Sequence, residues 1–147
     1  MIGKICNGIA TLGPIGYFSA PGTTATIVSV PLMYYTRFLF PNDLHYAAIV
    51  GIFSLVGSII VHYALVHDER IDDPEEIVLD ECIGTLIAFW AVPLSPQSLI
   101  VGLIVLRLLA ILKIGAVHDQ KIISAPAIIL DDIVAAALTN VLLHIVF

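Results

Sequence analysis

Charge is scarce in this sequence: charged residues make up 12% of 147, and Lys and Arg together number six. A surface for nucleic acid needs clustered cations, so six basic residues against twelve Asp and Glu, a net charge of −6, argue against that partner. Cysteine is nearly absent too. Cys6 and Cys82 stand far apart with no Cys-x-x-Cys pair, which leaves neither a disulfide framework nor a zinc knuckle indicated. What is abundant is apolar: 59% of residues are hydrophobic and the mean hydropathy is +1.03, too little polar surface to coat a soluble globule of this length. The composition is that of an integral membrane protein.

Residues 1–22 are apolar but broken by Gly3, Gly8, Gly13, Pro14, Gly16, Pro21 and Gly22. Lys4 ahead of an apolar run has the outline of a secretory signal, but Gly13-Pro14 interrupts it and no cleavage-site pattern follows, so the segment is expected to be retained. Ala20-Pro21-Gly22-Thr23 is turn chemistry leading into a helix, with Thr23 or Thr24 available as N-cap. Two readings stay open for it. It is a plain loop-to-helix junction, or a helix start whose exposed N–H groups at Gly22 and Thr23 hold a phosphate. The Gly-Lys-Ser/Thr ending of a P-loop is missing.

Hydrophobic runs then predict spans over 24–40, with Pro31 as a kink, and over 46–66, joined by a turn at Pro41-Asn42-Asp43. Asp73-Pro74-Glu75-Glu76 reads as a capping box, so a third helix is expected from Asp73 to near Pro93. The fourth, over 98–116, carries Arg107 and Lys113, and Pro126 starts the last, which runs to the C-terminus. Lys113 can snorkel to the headgroups. Arg107 lies too deep for that and is expected to face a carboxylate or a substrate phosphate. The expected fold is all-α: one domain over 1–147, a polytopic membrane bundle of about five hydrophobic helices with its polar motifs gathered at one face.

The acids carry the functional signal. Ile77-Val78-Leu79-Asp80-Glu81 is echoed by Ile128-Ile129-Leu130-Asp131-Asp132, each pair opening an apolar run. Ionisable groups at a bilayer edge are expensive, and two such pairs point to one shared site. Glu76 and Asp80, four apart, are expected to stack on one helix face, with Gly84 and Thr85 a turn further on to let helices approach. For Asp73, Glu75 and Glu76 capping or dipole compensation is as good an account as function. Asp80, Glu81, Asp131 and Asp132 are expected too far into their helices for that. Hard oxygens without His or Cys beside them favour Mg²⁺ over zinc.

If the turns at 41–45 and 95–97 share one membrane face, residues 1–23, 67–76 and 115–126 share the other. Eleven of the twelve acids fall on or near that second face, as do Lys4, Arg70, Lys113 and Lys121 against Arg37 opposite. The positive-inside rule makes it cytoplasmic. His67 and His118 lie in its loops, where a histidine is a proton shuttle or simply a solvated residue.

Taken together, Ala20-Pro21-Gly22-Thr23, the Asp-Pro-x-x-Ile-Val-x-Asp-Glu pattern at 73–81, Arg107 with Lys113, and Leu-Asp-Asp-Ile-Val-Ala at 130–135 resemble the phosphatidylglycerophosphatase A family. The resemblance implies a bacterial inner-membrane, Mg²⁺-dependent lipid phosphatase that converts phosphatidylglycerophosphate to phosphatidylglycerol. The expected metal ligands are Asp80, Glu81, Asp131 and Asp132, with Glu76 and Asp73 behind them. Lys113, Arg107 and the N–H groups at Gly22 and Thr23 are expected to neutralise the phosphoryl charge. Ala110 and Ile114 depart from the family pattern, which has an Asp and a Pro there, and Ser124-Ala125-Pro126 replaces a Gly-rich approach to the last acids. Asp119 is available as a compensating ligand. The competing class is an ion- or proton-coupled transporter, which intramembrane acids with an Arg also describe.

Overall fold

The computed structural model describes residues 2–67, 76–112 and 125–147, and among these every regular element is a helix. In chain order they are α1 (Ile2–Ala10), a 3₁₀ turn (Gly13–Tyr17), α2 (Pro21–Leu39), α3 (Asp43–His67), α4 (Leu79–Ala88), α5 (Pro96–Leu112) and α6 (Ala125–Val146). The all-α expectation holds for the described residues. The count of about five spans does not follow from them, because one helix there, over Asp43–Val66, is long and apolar enough to cross a membrane.

The helix expected from Asp73 to Pro93 differs most. Asp73 lies outside the described residues, Glu76 sits in a single 3₁₀ position, and α4 starts only at Leu79. The cause is long-range. The Val78 N–H donates to the Ala10 carbonyl at 3.0 Å, and Gly16 lies so close to the Glu76 carbonyl that a Cβ there would overlap it. The chain is thus held against α1 and the 3₁₀ turn until residue 79, and Glu76 and Asp80 do not share a helix face. At the other end, Ala91 turns the chain at φ 56° after α4 has closed at Ala88. Ten residues rise about 15 Å, half of what a bilayer core demands.

Short as it is, α4 is the centre of the molecule. Eight of its residues are buried, and it packs against α2, α3, α5 and α6. Its last carbonyls are taken by side chains of its neighbours: the Tyr46 hydroxyl donates to Leu86 O at 2.9 Å, and the Asn140 amide donates to Ala88 O at 3.1 Å and Trp90 O at 2.7 Å. Gly102 makes room for the Phe89 ring, and Met33, Leu86, Phe89, Val92, Leu106 and Leu143 form the core around them.

Local chemistry explains the other boundaries. The Asn42 side chain accepts the Leu44 N–H and starts α3. Ser95 and Ser98 exchange hydrogen bonds, the Ser98 N–H reaching Ser95 Oγ at 3.1 Å and the Ser95 N–H reaching Ser98 Oγ at 2.9 Å, so that α5 begins at Pro96. α2 runs on through Pro31, and its hydroxyls bond back to their own helix, as Thr26 does to Gly22 O and Ser29 to Ala25 O. A helix whose hydroxyls are satisfied internally can stand in apolar surroundings. The outer faces of α3, α5 and α6 carry exposed Leu55, Ile59, Ile104, Ile111 and Ile145. Length, hydropathy and this surface associate the chain with a membrane.

Candidate functional site

Four helices bring their polar residues to the start of α4. Asp80 and Glu81 occupy its first turn, with Val78 at the cap position offering no side-chain cap. The expectation that these acids lie beyond the reach of the helix dipole is therefore wrong, because the helix begins later than the capping box suggested. Dipole and local hydrogen bonding both favour the charged form: Asp80 Oδ1 also accepts the Glu81 N–H at 3.0 Å. Burial opposes them. Asp80 is 4% exposed, and burial, followed by the neighbouring Glu81 charge, pushes its carboxyl up to about 7.

From α6, Asp132 forms a side-chain hydrogen bond with Asp80, and Glu81 and Arg107 act on it electrostatically. Two carboxyl groups joined this way share a proton or need a cation in its place. Arg107 enters from α5 and pairs with Glu81, Nη1 to Oε1 at 2.5 Å, which satisfies the expectation that it faces a carboxylate. That contact is close but poorly aligned, and Nε and Nη1 of Arg107 are buried without a hydrogen-bond partner.

The fourth component is the start of α2. Ala20 holds the cap position with no side-chain cap, and the Thr24 hydroxyl donates backwards to Ala20 O, so neither Thr23 nor Thr24 serves as N-cap. The N–H groups of Gly22 and Thr23 are thereby left without a side-chain cap, beside the cation. A Cβ on Gly22 would stand 2.9 and 3.0 Å from Arg107 Nη2 and Nη1 and would collide with Glu81 Oε1. Glycine is needed here for close approach rather than for its backbone freedom.

Of the residues expected in the site, Gly22, Asp80, Glu81, Arg107 and Asp132 come together. Asp131 faces a neighbouring direction on α6 with Oδ1 buried and unpartnered, and Glu76 keeps an unpartnered Oε2 outside α4. The Thr23 side chain is exposed. Asp73, Lys113, Ile114, His118 and Asp119 lie outside the described residues. Gly16, which reads in the sequence only as a breaker, helps to hold the segment entering α4 through its fit against Glu76, while the roles of Tyr46 and Asn140 are not read from the sequence. The signal for Asn140 was an amide in an otherwise apolar run.

Among the described residues no three His, Cys, Asp or Glu side chains converge as a ready-made metal cluster. Mg²⁺ does not require one. It keeps several waters and takes one or two carboxylates together with substrate phosphate. The hydrogen-bonded Asp80–Asp132 pair, with unpartnered carboxylate oxygens on Asp131 and Glu76 nearby in sequence, is a donor set of that kind.

Residues 8–147 match the family model described as phosphatidylglycerophosphatase A. No curated protein and no solved structure matches the chain.

Proposed function

The chain belongs to the phosphatidylglycerophosphatase A family over nearly its whole length, and from that premise we propose that it hydrolyses phosphatidylglycerophosphate to phosphatidylglycerol and inorganic phosphate. The observation that carries the reading is the convergence of Asp80, Glu81 and Asp132 with Arg107 at the uncapped start of α2. A phosphate monoester dianion needs donors in several directions. Arg107 and the N–H groups of Gly22 and Thr23 supply them from one side.

The Asp80–Asp132 pair handles the proton. One carboxylate accepts a proton from the attacking water as its oxygen bonds to phosphorus, the bond from phosphorus to the terminal glycerol oxygen breaks, and the pair returns a proton to that oxygen. Mg²⁺ held by Asp80 and Asp132 would polarise the phosphoryl oxygens and favour ionisation of the water. Arg107 holds the developing charge in a dry environment, where a fixed cation counts for more than in water. Lys113, outside the described residues, is the second cation we assign to the phosphate, and the site faces the cytoplasm of a bacterial inner membrane. A transport pathway would need polar groups through the interior. The core between this site and the exposed Arg37–Asp43 pair is instead built of Met33, Leu86, Phe89 and their apolar neighbours.

Phosphate release by purified protein from phosphatidylglycerophosphate in mixed micelles, with Mg²⁺ and with EDTA, tests the proposal. Release that stops in EDTA is the expected result. No release, or release indifferent to EDTA, counts against it.

A further inference from the structure

Glu81 is expected from the sequence as a standing metal ligand beside Asp80. Its carboxylate is engaged elsewhere: it pairs with Arg107 and lies against Gly22, the second residue of α2, with no space left for a Cβ. A guanidinium, an uncapped helix start and a bare glycine together form a seat for an anion. The anion in that seat is a side chain of the protein itself. The pair is largely enclosed, with Arg107 and Glu81 side chains 19% and 16% exposed, yet Arg107 keeps Nε and Nη1 unmatched. One planar carboxylate leaves donors unused that a tetrahedral group with three free oxygens would meet.

We propose that Glu81 is a displaceable stand-in for the substrate's phosphoryl group. It neutralises Arg107 while the seat is empty and yields it when a phosphate monoester arrives. The inference rests on the phosphatase reading for the identity of the anion. It makes Glu81 a positioning residue: it keeps a desolvated guanidinium compensated between turnovers and sets a threshold that weak anions do not cross. On displacement its carboxylate is freed beside Asp80, where it adds negative charge next to the pair that handles the proton. Gly22 belongs to the same device, because any side chain there would keep both Glu81 and a phosphate off the helix start.

The test is equilibrium binding of inorganic phosphate, and separately of short-chain phosphatidylglycerophosphate, to detergent-solubilised protein in EDTA, read by titration calorimetry. Glu81→Gln keeps the shape and removes the competing charge, so phosphate should bind about tenfold tighter or more than to the parent. Equal or weaker binding of both ligands by the folded variant would overturn the proposal. Should Glu81→Gln not fold, Glu81→Asp decides, since the shorter acid keeps its charge but reaches Arg107 poorly: tighter phosphate binding supports displacement, and equal or weaker binding removes it. Adding Arg107→Gln must abolish the gain, and a gain that survives without Arg107 contradicts the seat. Tightening for the lipid alone supports displacement with the headgroup as its source. The two readings fail separately. A chain that tightens on phosphate but never hydrolyses the lipid strikes the enzymatic reading, whereas hydrolysis without tightening strikes the stand-in.

Discussion

A carboxyl in the first turn of a helix ordinarily gains from the dipole, yet Asp80 is pushed up from 3.8 to about 7, burial first and the Glu81 charge second. Between those values the folded protein holds a proton that the unfolded chain has released. The contribution of Asp80 to the stability of the metal-free protein should therefore fall as pH rises from about 4 to about 7, by up to about 1.4 kcal/mol per pH unit. Thermal melts in EDTA across that range measure the slope. Asp80→Asn should flatten it and raise the melting temperature at pH 8, by about 2–4 °C for each kcal/mol relieved at this chain length. The same substitution, and Asp132→Asn, should abolish Mg²⁺-dependent phosphate release, each removing a charge without changing shape. A variant that is more stable and inactive identifies an acid kept for chemistry. One that is less stable and still active would make the pair structural.

The elements differ in how much of them the sequence discloses. Runs of apolar residues locate α2, α3, α5 and α6 to within a few residues, because their boundaries are set locally by Asn42, Ser95 and Pro96. The start of α4 and the existence of α1 were not legible. Gly3 and Gly8 read as breakers although α1 passes through them, and Val78 is drawn out of the helix by a carbonyl 68 positions earlier in the chain, which no local pattern encodes. The site was legible as a set of residues, and it came together because its members sit at helix starts or face α4. Its pairing was not, since nothing in the sequence says that Arg107 meets Glu81 while Asp80 meets Asp132. Two glycines separate tight contact from mere proximity. A Cβ on Gly84 would meet Asp132 O and the Ala136 Cβ at 3.7 and 3.9 Å, ordinary contact, so Gly84→Ala should fold and gain up to about 1 kcal/mol from helix propensity. Gly16→Ala should instead lose at least about 2 kcal/mol, because the overlapping atom is the Glu76 backbone carbonyl, which cannot swing away without moving the entry to α4. Parallel denaturation of the two variants checks this. Comparable losses in both would mean that α4 and α6 pack more tightly than these distances imply.

At the scale of the whole molecule the acidic site and the Arg37–Asp43 pair of the described residues stand at two ends. One holds the α2 start, the first turn of α4, Arg107 and Asp132, and the other holds the Arg37–Asp43 pair at 2.9 Å, with Trp90 Nε1 donating to Asp43 O at 3.0 Å. The second end acts structurally, closing α4 with Tyr46 and Asn140. Asn140→Leu should accordingly cost about 1–3 kcal/mol, the range for a buried acceptor left unpaired, and spare phosphate release per folded molecule; loss of release at full stability would tie that end to the chemistry. Which end faces the cytoplasm depends on charge, since Lys4, Arg70, Lys113 and Lys121 fall towards the site end in sequence and Arg37 towards the other. Single cysteines report it in a chain from which Cys6 and Cys82 have been replaced. Ser19, exposed just before α2, and Gln97, exposed in the first turn of α5, make no hydrogen bond that the substitution would break. In intact cells Gln97→Cys should react with a membrane-impermeant thiol reagent, and Ser19→Cys should react only after permeabilisation. The opposite pattern would place the site on the outer face, away from a lipid phosphate made in the inner leaflet. Labelling of both in intact cells would remove the membrane between the two ends and with it the spanning role of α3.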